Sequence, residues 1–327
     1  MIHKISIVIP IFDAEKYLQQ LIGEIKPFTK INLTPSEKKY IISEVILVND
    51  CGSSFSAEII NSIEIEHSFV RSIWFSKNYG QHAATLAGMG SSSGDWIVTL
   101  DEDGEHNPSE IANMLDTAIL NKSQLVYAAP SNSKRHGIAR DILSSATKVI
   151  AKKFLGLNEV QNFQSFRLML GSIGRSAAAY SGSGSFLDVS LSWLVSGSST
   201  CQVVYRIGNK DSAYSTRKLF SHFWRLLLSS GTRVLRMITV IGVLLSIVGF
   251  LSAIYLVFLR LNSGNLPQGW VSIIVVQLFF GGIILSFLGV LAEFVGMIVN
   301  TAIGRPLFVI TDNPDNGPLG VAWDLNE

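Results

Sequence analysis

Two long apolar stretches constrain the fold of this chain more than any other feature. Residues 237–259 are almost uninterruptedly apolar, and so are residues 271–299 apart from Gln277 and Glu293. Each stretch exceeds the ~20 residues that an apolar helix needs to cross the hydrocarbon core of a membrane. The sequence therefore predicts two transmembrane helices within residues 237–300, joined as a hairpin by a short linker at 260–270.

The charges around these stretches predict their orientation. Arg233 and Arg236 precede the first stretch and Arg305 follows the second, whereas the linker contains one arginine, Arg260. Basic residues concentrate on the cytoplasmic side of membrane helices. We therefore expect a multi-pass protein of the inner (plasma) membrane, with a cytoplasmic domain over residues 1–210 and a cytoplasmic tail over residues 301–327.

The overall composition agrees with a membrane protein. Only 16% of the residues are charged, against the ~25% that is usual for soluble domains. The formal net charge of +1 gives no global attraction to nucleic acid, so nucleic acid is not expected as a partner. The two cysteines, Cys51 and Cys201, are too few for a disulfide framework, which fits a reducing cytosol.

Strand-like and helix-like segments alternate through the N-terminal part of the chain. Short apolar runs rich in β-branched residues occupy residues 5–11, 45–48, 73–75, 97–100 and 125–128. The segments between them have helical spacing, as in Ile111, Met114, Leu115 and Ile119. This alternation predicts an α/β fold with a mostly parallel sheet, which binds its ligands beyond the carboxyl ends of the strands.

Polar side chains follow four of these predicted strands. They are Asp13 and Glu15, Asn49 and Asp50, Lys77 and Asn78, and Asp101 and Asp103. Any one pair alone is typical of a solvated turn, but their common position predicts a single crevice. Asp101 and Asp103 stand two residues apart and offer the oxygen ligands that Mg2+ or Mn2+ takes beside phosphates. The pattern indicates a metal-diphosphate site.

Basic residues occur in two further segments. Arg135 and Arg140 follow the fifth predicted strand, where guanidinium groups could bind diphosphate oxygens in a bidentate manner. Residues 211–236 interleave arginines and lysines with leucines and aromatic residues, a pattern typical of an amphipathic helix on an anionic membrane surface. The alternative for both segments is a solvated helix face.

Several motifs together resemble a known family. They are IPIFDAEKYL at 9–18, VNDCGS at 48–53, SKNYGQHAATLAG at 76–88, GDWIVTLDED at 94–103, SFRLM at 165–169, AYSTRKL at 213–219, LAEFVG at 291–296 and GRPLFVI at 304–310. With the paired apolar stretches, the chain resembles the inverting family 2 glycosyltransferases of GT-A fold. Within that family it resembles the polyprenyl-phosphate type, which includes the dolichyl-phosphate and bactoprenol enzymes.

This resemblance implies a reaction and roles for individual residues. The reaction is transfer of a sugar from a nucleotide-sugar, with UDP-sugars favoured, to undecaprenyl or another polyprenyl phosphate. Asp50 would accept a hydrogen bond from the nucleotide base, and Asp101 and Asp103 would hold Mg2+ or Mn2+. The basic residues implied at the donor diphosphate or the acceptor phosphate are Lys77, Arg135, Arg140 and Arg167. Asp13 would also belong to the donor site. Arg217 and Lys218 would lie beside the phosphate of the lipid.

Departures from the family pattern at four residues keep other functions open. Gly104 and Glu105 stand where the family often has Leu-Gln, and Asn162 and Ser165 stand where relatives carry acids. One alternative is a catalytically silent membrane scaffold that binds a nucleotide-sugar. The other is a processive polysaccharide synthase, although its Gln-x-x-Arg-Trp motif is not evident. A homo-oligomer is also open.

Overall fold

The computed structural model describes residues 1–12, 17–131, 162–182, 186–206 and 270–313, with isolated positions between 238 and 258. Several residues of the predicted site lie outside this part of the chain. They are Asp13, Arg135, Arg140, Arg217 and Lys218. Their roles stay predictions.

The centre of the described part is a mixed, mostly parallel sheet of nine strands. The strands are β1 Ile2–Ile11, β2 Asn32–Leu33, β3 Lys39–Asn49, β4 Val70–Phe75, β5 Trp96–Thr99, β6 Leu125–Pro130, β7 Arg167–Leu170, β8 Ser199–Val203 and β9 Ile310–Thr311. Their order is β8-β6-β7-β5-β1-β3-β4-β9, with β2 antiparallel to β3. The predicted α/β class is confirmed.

The middle of the sheet is the predicted parallel block. β5, β1, β3 and β4 are neighbours and all run in the same direction. Ile7, Val8 and Ile9 of β1 are fully buried, as expected for a parallel strand that is covered on both faces. The carboxyl ends of these strands therefore lie along one edge, as the sequence predicts.

Strand β7 of the sheet lies outside the five predicted runs. β7 lies between β5 and β6 and is antiparallel to both, so the fourth and fifth predicted strands are not neighbours. Residues 165–169 are a recognisable motif in the sequence, but a strand of four residues has too few positions for its alternation to stand out.

Helices cover both faces of the sheet. They are α1 Tyr17–Ile25, α2 Ser54–Glu66, α3 Gln81–Gly90, α4 Ile111–Leu120, α5 Gly171–Tyr180 and α6 Leu187–Leu194. Side chains of α1, α2 and α4 belong to one core cluster, and those of α3, α5 and α6 belong to the other. Helix α3 approaches the sheet closely because Gly88 has no side chain, and a Cβ there would overlap Val8. The N-terminus of α3 lies at the carboxyl edge of the strands, because α3 follows the end of β4 and its first residue, Gln81, contacts Asp101 just after β5.

A long apolar helix, α7, spans Trp270–Ala302. Within it, residues Phe280–Ala302 are long and apolar enough to cross a membrane and are not buried inside the protein. Most of the first predicted transmembrane stretch lies outside the described residues, so the structure shows one such helix and not the predicted hairpin. After α7 the chain returns to the sheet, where β9 pairs antiparallel with β4 and Phe308 stacks on Phe75.

Candidate active site

The carboxyl ends of the central strands are joined by close backbone contacts. The N–H of Asp50, just after β3, donates to the carbonyl of Ile11 at the end of β1, over 2.8 Å. The N–H of Leu100, just after β5, donates to Val8 of β1 at 3.0 Å. Gly52 passes so near β1 that a Cβ would overlap the carbonyl oxygen of Phe12. The loops that carry the predicted acids therefore start from one compact edge.

Asp50 holds the turn that leads into α3. Its two carboxylate oxygens accept the backbone N–H groups of Tyr79 and Gly80 at 2.6 and 2.7 Å. Burial raises the pKa of Asp50, and these two hydrogen bonds act in the opposite direction. Gly80 has φ +92°, a conformation that favours glycine. Asp50 thus fixes the start of α3, and its contact with a nucleotide base stays a prediction.

Lys77 lies in the same turn with an exposed side chain. Its ammonium is 5.3 Å from the centre of the Tyr79 ring, which is within the range of a cation–π contact. A phosphate contact for Lys77 stays a prediction.

Asp101 is held by two side chains from different elements. Gln81 Nε2, at the first residue of α3, donates to Oδ1 at 2.7 Å. Ser165 Oγ, just before β7, donates to Oδ2 at 2.5 Å. About a quarter of the Asp101 side chain, 24%, remains accessible to solvent. The carboxylate is therefore fixed in direction and still open to a ligand.

Asp103 and its neighbours shape the loop after β5. Asp103 Oδ1 accepts the N–H of Glu105 at 3.1 Å, an arrangement typical of an Asx turn. Gly104 between them has φ +74°. Glu102 accepts the N–H of Phe12 at 3.2 Å and ties this loop to the end of β1. Both predicted metal-binding carboxylates therefore lie on a loop with defined hydrogen bonds.

The buried side chain of His106 supports the loop that carries Asp101 and Asp103. Its Nδ1 accepts the backbone N–H of Asp101 at 3.0 Å, so the neutral ring carries its proton on Nε2. The ring is 3% exposed, stacks on Phe166 at 5.0 Å and meets Tyr205 edge-on at 5.2 Å. Burial lowers the pKa of His106, which favours the neutral form. The sequence does not reveal this buried role, because the histidine stands in an otherwise polar loop.

Arg167 lies in β7 and is 4% exposed. Its guanidinium forms an ion pair with Asp188 at the start of α6, and its Nε donates to Thr99 Oγ1 at 3.1 Å. Burial raises the pKa of Asp188, whereas the charge of Arg167 and the hydroxyl of Tyr127 lower it. The structure therefore pairs Arg167 with a buried acid, Asp188. A contact between Arg167 and a phosphate stays a prediction.

The donor set at Asp101 and Asp103 fits a divalent cation. Among the described residues no three histidine, cysteine or acidic side chains form a metal-binding group. Carboxylate oxygens are the ligands that such cations take, and phosphate oxygens can complete their coordination. Each carboxylate oxygen has two lone pairs, and the observed hydrogen bonds use one on each oxygen of Asp101. His106 is no candidate ligand through Nδ1, which is occupied by the Asp101 N–H.

Sequence reasoning missed Gln81, Ser165 and His106 as members of this site. Gln81 is part of the KNYGQH motif, which was the available signal for it. Only the fold reveals that the hydroxyl of Ser165 meets Asp101, which is 64 residues away in the chain.

The comparison with known proteins defines the class. The family model for glycosyl transferase family 2 matches residues 6–172, which include most of β1, all of β2 to β7 and the loop after β5 with Asp101 and Asp103. The chain belongs to glycosyl transferase family 2. This confirms the family that the motifs resemble.

Particular relatives match over nearly the whole chain. An undecaprenyl-phosphate 4-deoxy-4-formamido-L-arabinose transferase of Proteus mirabilis is 28% identical and covers 94% of this chain and 93% of its own length. The bactoprenol glucosyl transferase derived from prophage SfII in Shigella flexneri is 26% identical and covers 96% and 100%. The structure of glucosyl-3-phosphoglycerate synthase from Mycobacterium tuberculosis, with Mn2+, UDP-glucose and phosphoglyceric acid, is 16% identical, with a TM-score of 0.49 over 71% of this chain and 80% of that one.

Proposed function

We propose that this protein transfers a single sugar from a nucleotide-sugar, with UDP-sugars favoured, to undecaprenyl or another polyprenyl phosphate at the cytoplasmic face of the membrane. The observation that carries the proposal is the Asp101–Asp103 loop at the carboxyl edge of a family 2 sheet that is connected to a long apolar helix. Relatives named for undecaprenyl-phosphate or bactoprenol sugar transfer match both the sheet domain and the apolar helix.

The chemistry needs no general base. An acceptor phosphate is already an anion, so one of its oxygens attacks the anomeric carbon on the face opposite the leaving group. The bond from that carbon to the nucleotide diphosphate breaks, the electron pair leaves with the diphosphate, and the configuration is inverted. The protein has to align the reactants and stabilise the departing charge. Ser165, in place of an acid, is compatible with this scheme.

The residues of the loop supply the stabilisation. Asp101 and Asp103 would hold Mg2+ or Mn2+ against the diphosphate, which neutralises the negative charge that develops on the leaving group. Arg135, Arg140 and Lys77 are the proposed diphosphate contacts. Arg217 and Lys218, in the segment 211–236, are the proposed contacts of the lipid phosphate, and the hairpin within 237–300 would keep that phosphate near the loop.

Purified full-length protein with Mn2+, undecaprenyl phosphate and a panel of UDP-, GDP- and TDP-sugars tests the proposal. One donor is expected to yield a lipid-linked single sugar. Asp103→Ala is expected to lower the rate more than ~100-fold, because a charge-stabilising group is lost at the leaving diphosphate. The matched control is Glu66→Ala, an exposed acid at the C-terminal end of α2, which is expected to keep the parent rate.

Two results would reverse the proposal. A polymeric product would indicate a processive synthase. Donor binding without turnover across the whole panel would indicate a silent nucleotide-sugar-binding protein.

A further inference from the structure

Two donors outside the acidic loop hold the carboxylate of Asp101. Gln81 donates to one oxygen and Ser165 donates to the other, at 2.7 and 2.5 Å. A carboxylate on a free side chain rotates about its terminal bond and samples a broad range of orientations. With a donor on each oxygen, the plane of the Asp101 carboxylate is fixed by other residues of the protein.

Hydrogen bonds that lead to two buried acids hold the backbone at both donors. On one side, Asp50 accepts the N–H of Gly80 and so fixes the residue that precedes Gln81. On the other side, the carbonyl of Ser165 accepts Thr99 Oγ1 at 2.5 Å and Arg167 Nε at 3.4 Å. Arg167 is paired in turn with the buried Asp188. The contacts on Asp101 therefore start from rigid parts of the domain on both sides of β5.

We infer that Gln81 and Ser165 are positioning residues for Asp101, which orient its carboxylate for the divalent cation of the reaction. The inference rests on the proposed function. Groups that hydrogen-bond to metal-binding side chains orient those side chains, and their loss typically weakens metal affinity by ~10–100-fold. A serine at 165 performs this role as a donor, whereas an acid would present a like charge to Asp101.

Mn2+ binding to the purified full-length protein with saturating UDP is the first test, measured by calorimetry or by the electron paramagnetic resonance signal of free Mn2+. Ser165→Ala and Gln81→Ala are each expected to raise the Kd for Mn2+ about 10-fold. Activity at limiting Mn2+ is expected to fall in parallel and to recover in large part at saturating Mn2+.

Matched variants separate positioning from general damage. Ser165→Thr keeps a hydroxyl on the same carbon and is expected to retain the parent Kd within about 2-fold, well inside the loss that removal of such a group causes. Ser62→Ala and Gln20→Ala remove similar hydrogen bonds from exposed positions of α2 and α1. Both are expected to keep the parent Kd for Mn2+. The Tm of every variant is measured beside its Kd.

The outcomes distinguish the inference from the function on which it rests. Parent-like Mn2+ affinity in both Ser165→Ala and Gln81→Ala, even with a lowered Tm, overturns the inference and leaves the proposed transferase intact. Absence of Mn2+ binding by the parent protein with UDP overturns the metal-dependent function and the inference together.

Discussion

At the scale of single residues, we expect substitutions in the buried Arg167–Asp188 ion pair to have a large effect on stability. Arg167 and Asp188 are each 4% exposed, and Tyr127 also donates to Asp188, at 2.9 Å. Removal of one partner from a buried pair leaves a charge without compensation, which costs about 3–5 kcal/mol. We expect Asp188→Ala to lower the free energy of unfolding by that amount, measured by denaturant titration.

Tyr127→Phe is the matched control for this prediction. It removes one hydrogen bond to the same carboxylate and keeps the charge pair, so a smaller loss of about 1.5–3 kcal/mol is expected. Equal losses for the two variants would contradict the assignment of Arg167 as a charge that depends on Asp188.

A second prediction concerns pH. Burial raises the pKa of Glu44, but hydrogen bonds from Ser6, Ser93 and Arg71 outweigh it and hold the pKa at about 2, below the ordinary value of 4.5. The unfolded chain therefore takes up a proton first as the pH falls. The stabilisation is complete above pH 4.5, declines toward pH 2, and should fall by about 2 kcal/mol by pH 3.

The variant Glu44→Gln removes this titration. Between pH 6.5 and pH 3 the difference in unfolding free energy between parent and variant should shrink by about 2 kcal/mol. Ser93→Ala removes one of the hydroxyl donors to Glu44. The difference in unfolding free energy between the parent and Ser93→Ala should also shrink over this pH range, but by less. A constant difference between parent and Glu44→Gln over this range would refute the depressed pKa.

The sequence reveals the acids of the candidate site but not their supports. Asp50, Asp101 and Asp103 could be predicted because each directly follows a buried strand, and parallel strands end at a common edge. Gln81 and Ser165 could not, because hydrogen bonds over 20 and 64 residues depend on how α3 and β7 pack beside β5. No periodicity in the sequence carries that information.

At the scale of elements, the turn before α3 depends on its backbone conformation. Gly80 has φ +92°, and a Cβ at this position would meet nothing within 4 Å. A substitution there is consequently strained by its dihedral angles and not by contacts. We expect Gly80→Ala to cost about 1–3 kcal/mol in unfolding free energy and to weaken donor binding, because the turn carries Lys77 and Gln81.

Gly23→Ala is a control for which the opposite change in unfolding free energy is expected. It lies inside α1, also with open space around a Cβ, and its φ is not positive. Alanine is the better helix former by up to ~1 kcal/mol, so Gly23→Ala should stabilise the protein. A stabilising Gly80→Ala would show that the turn does not require its left-handed residue.

The length and composition of the strands explain which of them the sequence predicts. The runs that lie within β1, β3, β4, β5 and β6 are mostly apolar and rich in β-branched residues, and helix α4 follows the predicted spacing from Ile111. β7, β8 and β9 are short strands of four, five and two residues. Their identity as strands depends on partners that lie far away in the chain, so sequence patterns alone do not define them.

At the scale of the whole molecule, the position of β9 restricts the membrane topology. β9 follows α7 and pairs with β4, so it must lie on the side of the membrane where the sheet lies. If α7 crosses the membrane, the chain between β8 and β9 has to cross an even number of times. Residues 237–259 form the other apolar stretch of sufficient length, which supports the proposed hairpin.

Cysteine labelling tests this topology. Cys51 is exposed and Cys201 is buried, so a membrane-impermeant maleimide should label the protein through Cys51 in inside-out vesicles and not in intact spheroplasts. Cys51→Ser should abolish the signal. In that background Ser263→Cys, in the linker 260–270, should be labelled in spheroplasts only, because a hairpin exposes its linker on the opposite face. Labelling of positions 51 and 263 from the same side would exclude the hairpin, and labelling of Cys51 from outside would exclude a cytoplasmic domain.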